Sequence, residues 1–249
     1  MALAWHHSFI LGTSVWLAYA ADRWIEGWWL KPEQVRTQRH FFYQRWRWPL
    51  AAWWTAMLVA DVTVSVRNLT SREFNAGLLL LVPVFAYLLS HQLIHRLRRW
   101  RAPKEICVAL LFSAGVSVFL LPEPSSGLIT LALPLLLFAL LCFANCALIS
   151  VWEQAVDQAH GQTSLALQFD RARTFARVLP WIIAVAATGF AASHVGPART
   201  AGGCAAWSGI LLGALDLTVG RGNPRLARAL VDFALMTPAA VLIFERWFF

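Results

Sequence analysis

Charged residues are scarce in this sequence. Asp, Glu, Lys and Arg make up 14% of its 249 residues, whereas a soluble globular domain carries about 25%. The sequence contains no glycine-rich phosphate loop, no Ser-His-Asp or Cys-His arrangement and no sustained heptad repeat. Hydrophobic residues account for 59% of the chain. The composition therefore indicates that lipid surrounds most of the chain.

Cysteine is also rare, and no cysteine pair has the spacing of a metal site. The four cysteines all lie in apolar stretches: Cys107, Cys142, Cys146 and Cys204. Cysteine in such surroundings is typically a small buried hydrophobe. The cysteines therefore indicate packing, and any metal has to be bound by other residues.

Long apolar windows fill most of the sequence. A helix needs about 20 apolar residues to cross a hydrocarbon core about 30 Å thick. Eight windows approach this length, at residues 4–21, 48–66, 76–95, 105–121, 127–151, 175–194, 200–219 and 229–246. The connections between them are short. We therefore expect an all-α fold, a polytopic transmembrane helical bundle of about eight spans that forms one domain over residues 1–249.

The basic residues are distributed unevenly between alternate loops. Seventeen of the 21 Lys and Arg residues fall in one set of loops, and the other set holds only Arg67, Arg72, Arg199 and Arg246. Cytoplasmic loops are enriched in Lys and Arg. Eight spans with both termini outside reproduce this asymmetry, so we expect an integral protein of the plasma membrane, the inner membrane in a bacterium. The net charge of +8 then reflects topology, and nucleic acid is not an expected partner.

Two pairs of carboxylates lie at the cytoplasmic ends of predicted spans. Asp22 and Glu26 follow the first window, and Glu153 and Asp157 follow the fifth. Each pair has i, i+4 spacing, which places both side chains on one face of a helix, where like charges repel unless a cation lies between them. Carboxylate oxygens are the ligands that Mg²⁺ prefers, together with waters and substrate phosphates. The pattern therefore favours Mg²⁺ as cofactor.

Basic side chains surround both pairs and suggest an anionic ligand. They are Arg23, Arg36, Arg39 and His40 around the first pair, Arg171 and Arg173 after the second, and His95, Arg96, Arg98 and Arg99 in the loop between. Arginine donors combined with a metal suit a diphosphate. The alternative is that these residues are solvated helix ends whose arginines only set topology.

The two acidic segments resemble the motifs of the UbiA superfamily of intramembrane prenyltransferases. Asp22-Arg-x-x-Glu26-Gly, followed by Arg36-Thr-x-Arg39, is similar to the first aspartate-rich motif of that family. Glu153-x-x-x-Asp157-x-x-x-Gly161-x-x-Ser164-Leu-Ala is similar to the second motif at every spacing. His91-x-x-x-His95-Arg96 occupies the place of the family's basic loop. The resemblance extends over nearly the whole chain, with the eight windows corresponding to the family's second to ninth helices.

This resemblance implies a chemistry. Members of the family bind an isoprenyl diphosphate through Mg²⁺ at the cytoplasmic mouth of a helical bundle, and the prenyl tail lies in a tunnel. Ionisation gives an allylic cation that alkylates an aromatic or lipid acceptor, or in cyclase relatives closes on itself. The resemblance assigns the metal to Asp22, Glu26, Glu153 and Asp157, and the diphosphate to the surrounding basic residues. A catalytically silent relative that binds isoprenoid lipid is a third possibility.

The first motif departs from the family pattern. Ala18 and Tyr19 stand where the family has Asn and Asp, and Glu26 and Glu153 replace aspartates. The family's first helix has no counterpart in the sequence. We therefore expect the metal to depend more on the second pair than on the first. We also expect the four carboxylates to converge on one cavity at the cytoplasmic side, which the loop of His95 to Arg99 caps as a basic lid.

Other residues near the predicted site have two interpretations each. Trp152 either stabilises a carbocation through its ring or anchors its helix at the interface. Asp232 follows Arg228 at i, i+4 spacing, which predicts a structural ion pair. Asn145 lies in a span, and a hydrogen bond to another helix is its expected role.

Overall fold

The computed structural model describes residues 4–29, 38–90, 104–120, 128–159, 164–220 and 222–241. Helix accounts for 89% of these residues and no strand occurs among them, which confirms the all-α prediction. The described helices are α1 Trp5–Trp29, α2 Gln38–Arg45, α3 Arg47–Asn68, α4 Ser71–Leu89, α5 Lys104–Ser117, α6 Leu128–Trp152, α7 Gln154–Ala159, α8 Leu165–Gln168, α9 Ala172–Ser193, α10 Pro197–Thr218 and α11 Pro224–Ala234.

Five of the described helices are long and apolar enough to cross a membrane: Arg47–Asn68, Ser71–Leu89, Leu131–Trp152, Ala172–Ser193 and Pro197–Thr218. They coincide with five of the eight predicted windows, so the chain has the helices of a membrane protein. The other three windows fall on helices that, over the described residues, are not both long enough and apolar enough to cross a membrane. The count of eight spans and the orientation stay predictions.

The helices divide into two compact units, Met1–Arg99 with Ala114–Pro124, and Trp100–Ser113 with Ser125–Phe249. Whether the chain forms one domain stays a prediction.

In the first unit α1 packs against α3. The Trp54 indole donates to the Leu17 carbonyl at 2.9 Å, and Asp61, buried within α3, accepts from the hydroxyls of Thr13 and Ser14. The two hydroxyls partner a carboxylate that would otherwise be costly inside a span.

Helix α4 begins with a capping box. The Thr70 hydroxyl accepts from the Glu73 backbone N–H at 3.3 Å, and the Glu73 carboxylate accepts from the Thr70 N–H at 2.8 Å. This reciprocal pair satisfies two donors that a helix start leaves open. The apolar side chains beyond the cap are largely exposed, with Leu79 73% exposed, as a lipid-facing span requires.

The second unit is built on close contact between α9 and α10, with α6 packed against both. Small residues permit the approach: a Cβ added at Gly209 would lie 2.8 Å from the Pro180 carbonyl oxygen of α9. Without a hydrophobic driving force between helices in lipid, such small residues let the backbones pack. Helix α11 packs on α10 and α6, and the short helices α7 and α8 pack against each other and α6. These contacts bring the ends of α6, α7, α8 and α11 together.

Candidate anion and metal site

The second acidic pair lies where α6 ends and α7 begins. Glu153 forms the turn between the two helices, and its N–H still donates to the Ile149 carbonyl at 2.9 Å. The Asp157 N–H in turn donates to the Glu153 carbonyl at 2.9 Å. The helical path therefore continues through the turn, and the two carboxylates share one face, as their spacing predicts.

Each carboxylate of the second pair has a cationic partner from another helix. Arg228 of α11 donates to the Glu153 carboxylate. The Lys104 Nζ of α5 lies 3.8 Å from Asp157 Oδ1, and Asp157 is 5% exposed. Since a hydrogen bond from nitrogen to oxygen spans about 2.7–3.2 Å, the ammonium faces Asp157 without a direct hydrogen bond. Acidic and basic groups thus alternate at this end of the unit.

The predicted ion pair between Arg228 and Asp232 is wrong. Arg228 reaches Glu153, and the Asp232 carboxylate instead accepts from the Asn145 side chain at 3.1 Å. This bond joins α11 to α6 and confirms the helix-to-helix role expected for Asn145. The Arg228 side chain prefers the partner across the helix interface to the one on its own helix.

Trp152 is held in place by its neighbours. Its indole N–H donates to Asp216 Oδ1 at 3.0 Å, and the Arg177 Nε lies 3.2 Å from Asp216 Oδ2. A Cβ added at Gly220 would lie 2.6 Å from the indole ring. The Asp216 carboxylate and the absence of a side chain at Gly220 therefore determine the position of the indole ring. Its role toward a carbocation stays a prediction.

Glu105 lies beside this site, and the sequence analysis did not identify it. The residue opens α5, its side chain is 2% exposed, and its Oε1 accepts from the Leu165 N–H at 3.1 Å. Within the described part of the chain its Oε2 has no hydrogen-bond partner, nor has the hydroxyl of the fully buried Ser164. The available signal was a carboxylate directly after Lys104 at the start of an apolar window.

The first acidic pair lies in α1, as its spacing predicts. Asp22 is 7% exposed, and Arg23 Nη2 lies 3.3 Å from its Oδ2. The Arg23 guanidinium also stands 5.5 Å from the Tyr19 ring centroid, which is cation–π distance. Tyr19 therefore holds an arginine where the resembled family has a metal ligand. The side chain of Glu26 lies outside the described residues, and the convergence of the two pairs stays a prediction.

The predicted diphosphate-binding residues are described only in part. Arg171 and Arg173 are exposed at the start of α9. Arg39 is in α2, but its side chain is outside the described set, as are Arg36 and the basic-loop residues His95, Arg96, Arg98 and Arg99. The capping role of that loop stays a prediction.

The donor set at the second pair suits a hard cation. Over the described ranges no three side chains of His, Cys, Asp and Glu type lie close enough to hold a metal together. Mg²⁺, however, is commonly held by one or two carboxylates with waters and substrate phosphates. Glu153, Asp157 and the unpartnered Glu105 oxygen are the oxygens that fit it here. Comparisons of the chain with protein-family models, curated proteins and solved structures return no match.

Proposed function

We propose that this chain is an Mg²⁺-dependent intramembrane prenyltransferase with an isoprenyl diphosphate as substrate. The observation that carries the proposal is the alternation of carboxylates and cations at one end of an apolar helical unit: Glu153 with Arg228 and Asp157 with Lys104. Buried charges are expensive, and in proteins they are paired or coordinate a metal. The motif resemblance to the UbiA superfamily supports the same assignment, and so do the eight apolar windows of this chain.

The residues divide between metal and diphosphate. Glu153 and Asp157 would hold Mg²⁺, and the motif resemblance also assigns Asp22 and Glu26 to the metal. Arg228 and Lys104 lie beside Glu153 and Asp157, and they would contact the oxygens of a metal-bound diphosphate. An arginine fork matches phosphate oxygens in two parallel hydrogen bonds, and lysine acts as a point charge. When bound, Mg²⁺ neutralises charge on the leaving diphosphate.

The reaction then needs little from the protein beyond position and charge. The bond between the allylic carbon and the diphosphate oxygen breaks, and diphosphate leaves with the bonding electron pair. The acceptor donates an electron pair to the allylic cation and loses a proton to solvent or diphosphate. Trp152, fixed by Asp216, stands next to Glu153, where its ring face stabilises the cation by about 2 kcal/mol when desolvated.

A silent, isoprenoid-binding relative is the second candidate, and one observation favours it. Each carboxylate of the second pair already has a cationic partner, so the ion pairs by themselves satisfy the site. In this case the protein binds prenyl diphosphate or another isoprenoid lipid without breaking the C–O bond.

One experiment separates the candidates. Full-length protein in lipid nanodiscs is incubated with prenyl diphosphates of several lengths, with and without Mg²⁺, and with or without an aromatic acceptor. A transferase forms prenylated acceptor, a cyclase forms cyclic hydrocarbon or alcohol without any acceptor, and a silent relative releases no diphosphate in either mixture. Mass spectrometry of the lipid that copurifies with the protein gives the tail length that the site accepts.

A further inference from the structure

Glu105 is a buried carboxylate that accepts a described hydrogen bond at only one of its two oxygens. It lies at the start of α5 and is 2% exposed, and one oxygen accepts the Leu165 N–H at 3.1 Å. The other oxygen is buried and has no partner within the described residues. Buried polar groups are almost always hydrogen-bonded, and an exception calls for an explanation such as an ion or a water.

A second buried polar atom without a hydrogen-bond partner among the described residues belongs to Ser164. Ser164 precedes Leu165, its side chain is fully buried, and its hydroxyl makes no hydrogen bond to any described group. Ser164 is the N-terminal capping residue of α8, yet its hydroxyl does not cap that helix. The N–H of Leu165, the first residue of α8, donates to Glu105. This N–H belongs to the peptide bond between Ser164 and Leu165. The two side chains with unpartnered oxygens therefore meet at this peptide bond.

The same end of the second unit contains the buried carboxylate of Asp157. The Asp157 carboxylate is 5% exposed, and its cationic neighbour Lys104 stands 3.8 Å away, beyond hydrogen-bonding distance. Lys104 directly precedes Glu105 in α5, and α7, which carries Asp157, packs on α8. One end of α5 thus places a carboxylate by α8 and an ammonium by α7.

We propose that Glu105 and Ser164 are ligands of a divalent cation, which they bind together with Asp157. The ligand class follows from the donors: carboxylate and hydroxyl oxygens are hard ligands that select Mg²⁺ or Mn²⁺, which keep several waters and need few protein ligands. This inference deepens the proposed function and rests on it.

The substitution Glu105→Gln tests the ligand role apart from the structural one. A glutamine keeps an amide oxygen for the Leu165 N–H, but it replaces the charged second oxygen by an NH₂ group. If Glu105 only caps α8, the protein with Glu105→Gln binds metal as before. If Glu105 is a ligand, the affinity for metal falls at least about tenfold, the lower limit of what even an outer-shell partner contributes to a metal site.

The measurement is Mn²⁺ binding by electron paramagnetic resonance, made on the full chain in nanodiscs with no prenyl diphosphate present. The matched control is Asp170→Asn, because Asp170 is an exposed carboxylate in the turn before α9 and should leave the affinity unchanged. Circular dichroism confirms that each variant keeps its helix content. An unchanged Mn²⁺ affinity in Glu105→Gln, or no Mn²⁺ binding by the unsubstituted protein, would overturn the proposal.

A second substitution, Ser164→Cys, covers the case in which Glu105→Gln does not fold. A thiolate is a softer ligand than a hydroxyl, so a true ligand at this position shifts the preference from Mn²⁺ toward Cd²⁺. An unshifted preference overturns the role of Ser164 as ligand.

The outcomes also separate this inference from the proposed function. Glu105-dependent Mn²⁺ binding without diphosphate release leaves the metal site standing and removes the prenyltransferase. If diphosphate release depends on Mg²⁺ but Glu105→Gln leaves the Mn²⁺ affinity unaltered, the prenyltransferase stands and the ligand role of Glu105 is overturned.

Discussion

Charged side chains at the end of α6 are satisfied by residues far away in the chain. Glu153 bonds to Arg228, 75 residues later, and the Leu165 N–H bonds to Glu105, 60 residues earlier. Local spacing placed Glu153 and Asp157 on one face, but it assigned Arg228 to Asp232 and missed Glu105. Such partners are determined by how the helices pack. A sequence pattern relates only residues that are close in the chain, so it cannot predict them.

The two acidic motifs should contribute unequally to catalysis. Because the first motif has Ala18 and Tyr19 where the resembled family has two metal ligands, and the Tyr19 ring lies against Arg23, we expect the second pair to hold most of the metal. We predict that Glu153→Gln or Asp157→Asn abolishes Mg²⁺-dependent turnover, while Glu26→Gln leaves measurable activity with a raised Mg²⁺ requirement. Turnover titrated with Mg²⁺ measures both. Equal losses at all three positions would mean that the first motif has ligands beyond Asp22 and Glu26.

The orientation of Trp152 depends on a missing side chain at Gly220. A Cβ at that position would stand 2.6 Å from the indole, so we predict that Gly220→Ala destabilises the protein by about 1–3 kcal/mol. Gly222→Ala is the control, since nothing lies within 4 Å of its added Cβ. Thermal unfolding in detergent compares the two. Equal melting temperatures would show that the indole moves aside freely.

At the scale of the element, helix existence was predictable and helix ends were not. Five apolar windows coincide with the long apolar helices. Helix α4 nevertheless begins at Ser71, five residues before its window, because the Thr70 and Glu73 capping box sets the start. Helix α11 begins at Pro224 after the Asn223 cap, also ahead of its window at residue 229. Hydropathy detects the apolar part of a helix, whereas caps are polar.

Two glycines of α10 allow a matched test of the contact between α9 and α10. Gly209→Ala should separate the two helices, because its added Cβ would be 2.8 Å from the Pro180 carbonyl, and we expect a loss of about 1–3 kcal/mol. Gly203→Ala, on the same helix with nothing within 4 Å, should have little effect. Thermal melting of the two proteins is the measurement. A loss at Gly203 as large as at Gly209 would contradict the role of close packing.

For the whole molecule, the distribution of basic residues predicts its orientation. In a background without the native cysteines, Asn68→Cys should react with an impermeant thiol reagent added outside intact cells, and Arg98→Cys should react only after the membrane is opened. The reason is that loops rich in Lys and Arg stay in the cytoplasm. Labelling of both positions from the same side would contradict the predicted threading.

The central claim is that the chain uses Mg²⁺ to release diphosphate from an isoprenyl substrate. The most direct measurement is diphosphate release by the purified full-length protein in nanodiscs, with the Asp157→Asn and Asp170→Asn proteins assayed beside it. We predict release that requires Mg²⁺, is lost in Asp157→Asn because this buried carboxylate binds the metal, and persists in Asp170→Asn. Release that survives Asp157→Asn, or no release from any prenyl diphosphate with Mg²⁺ present, would contradict it.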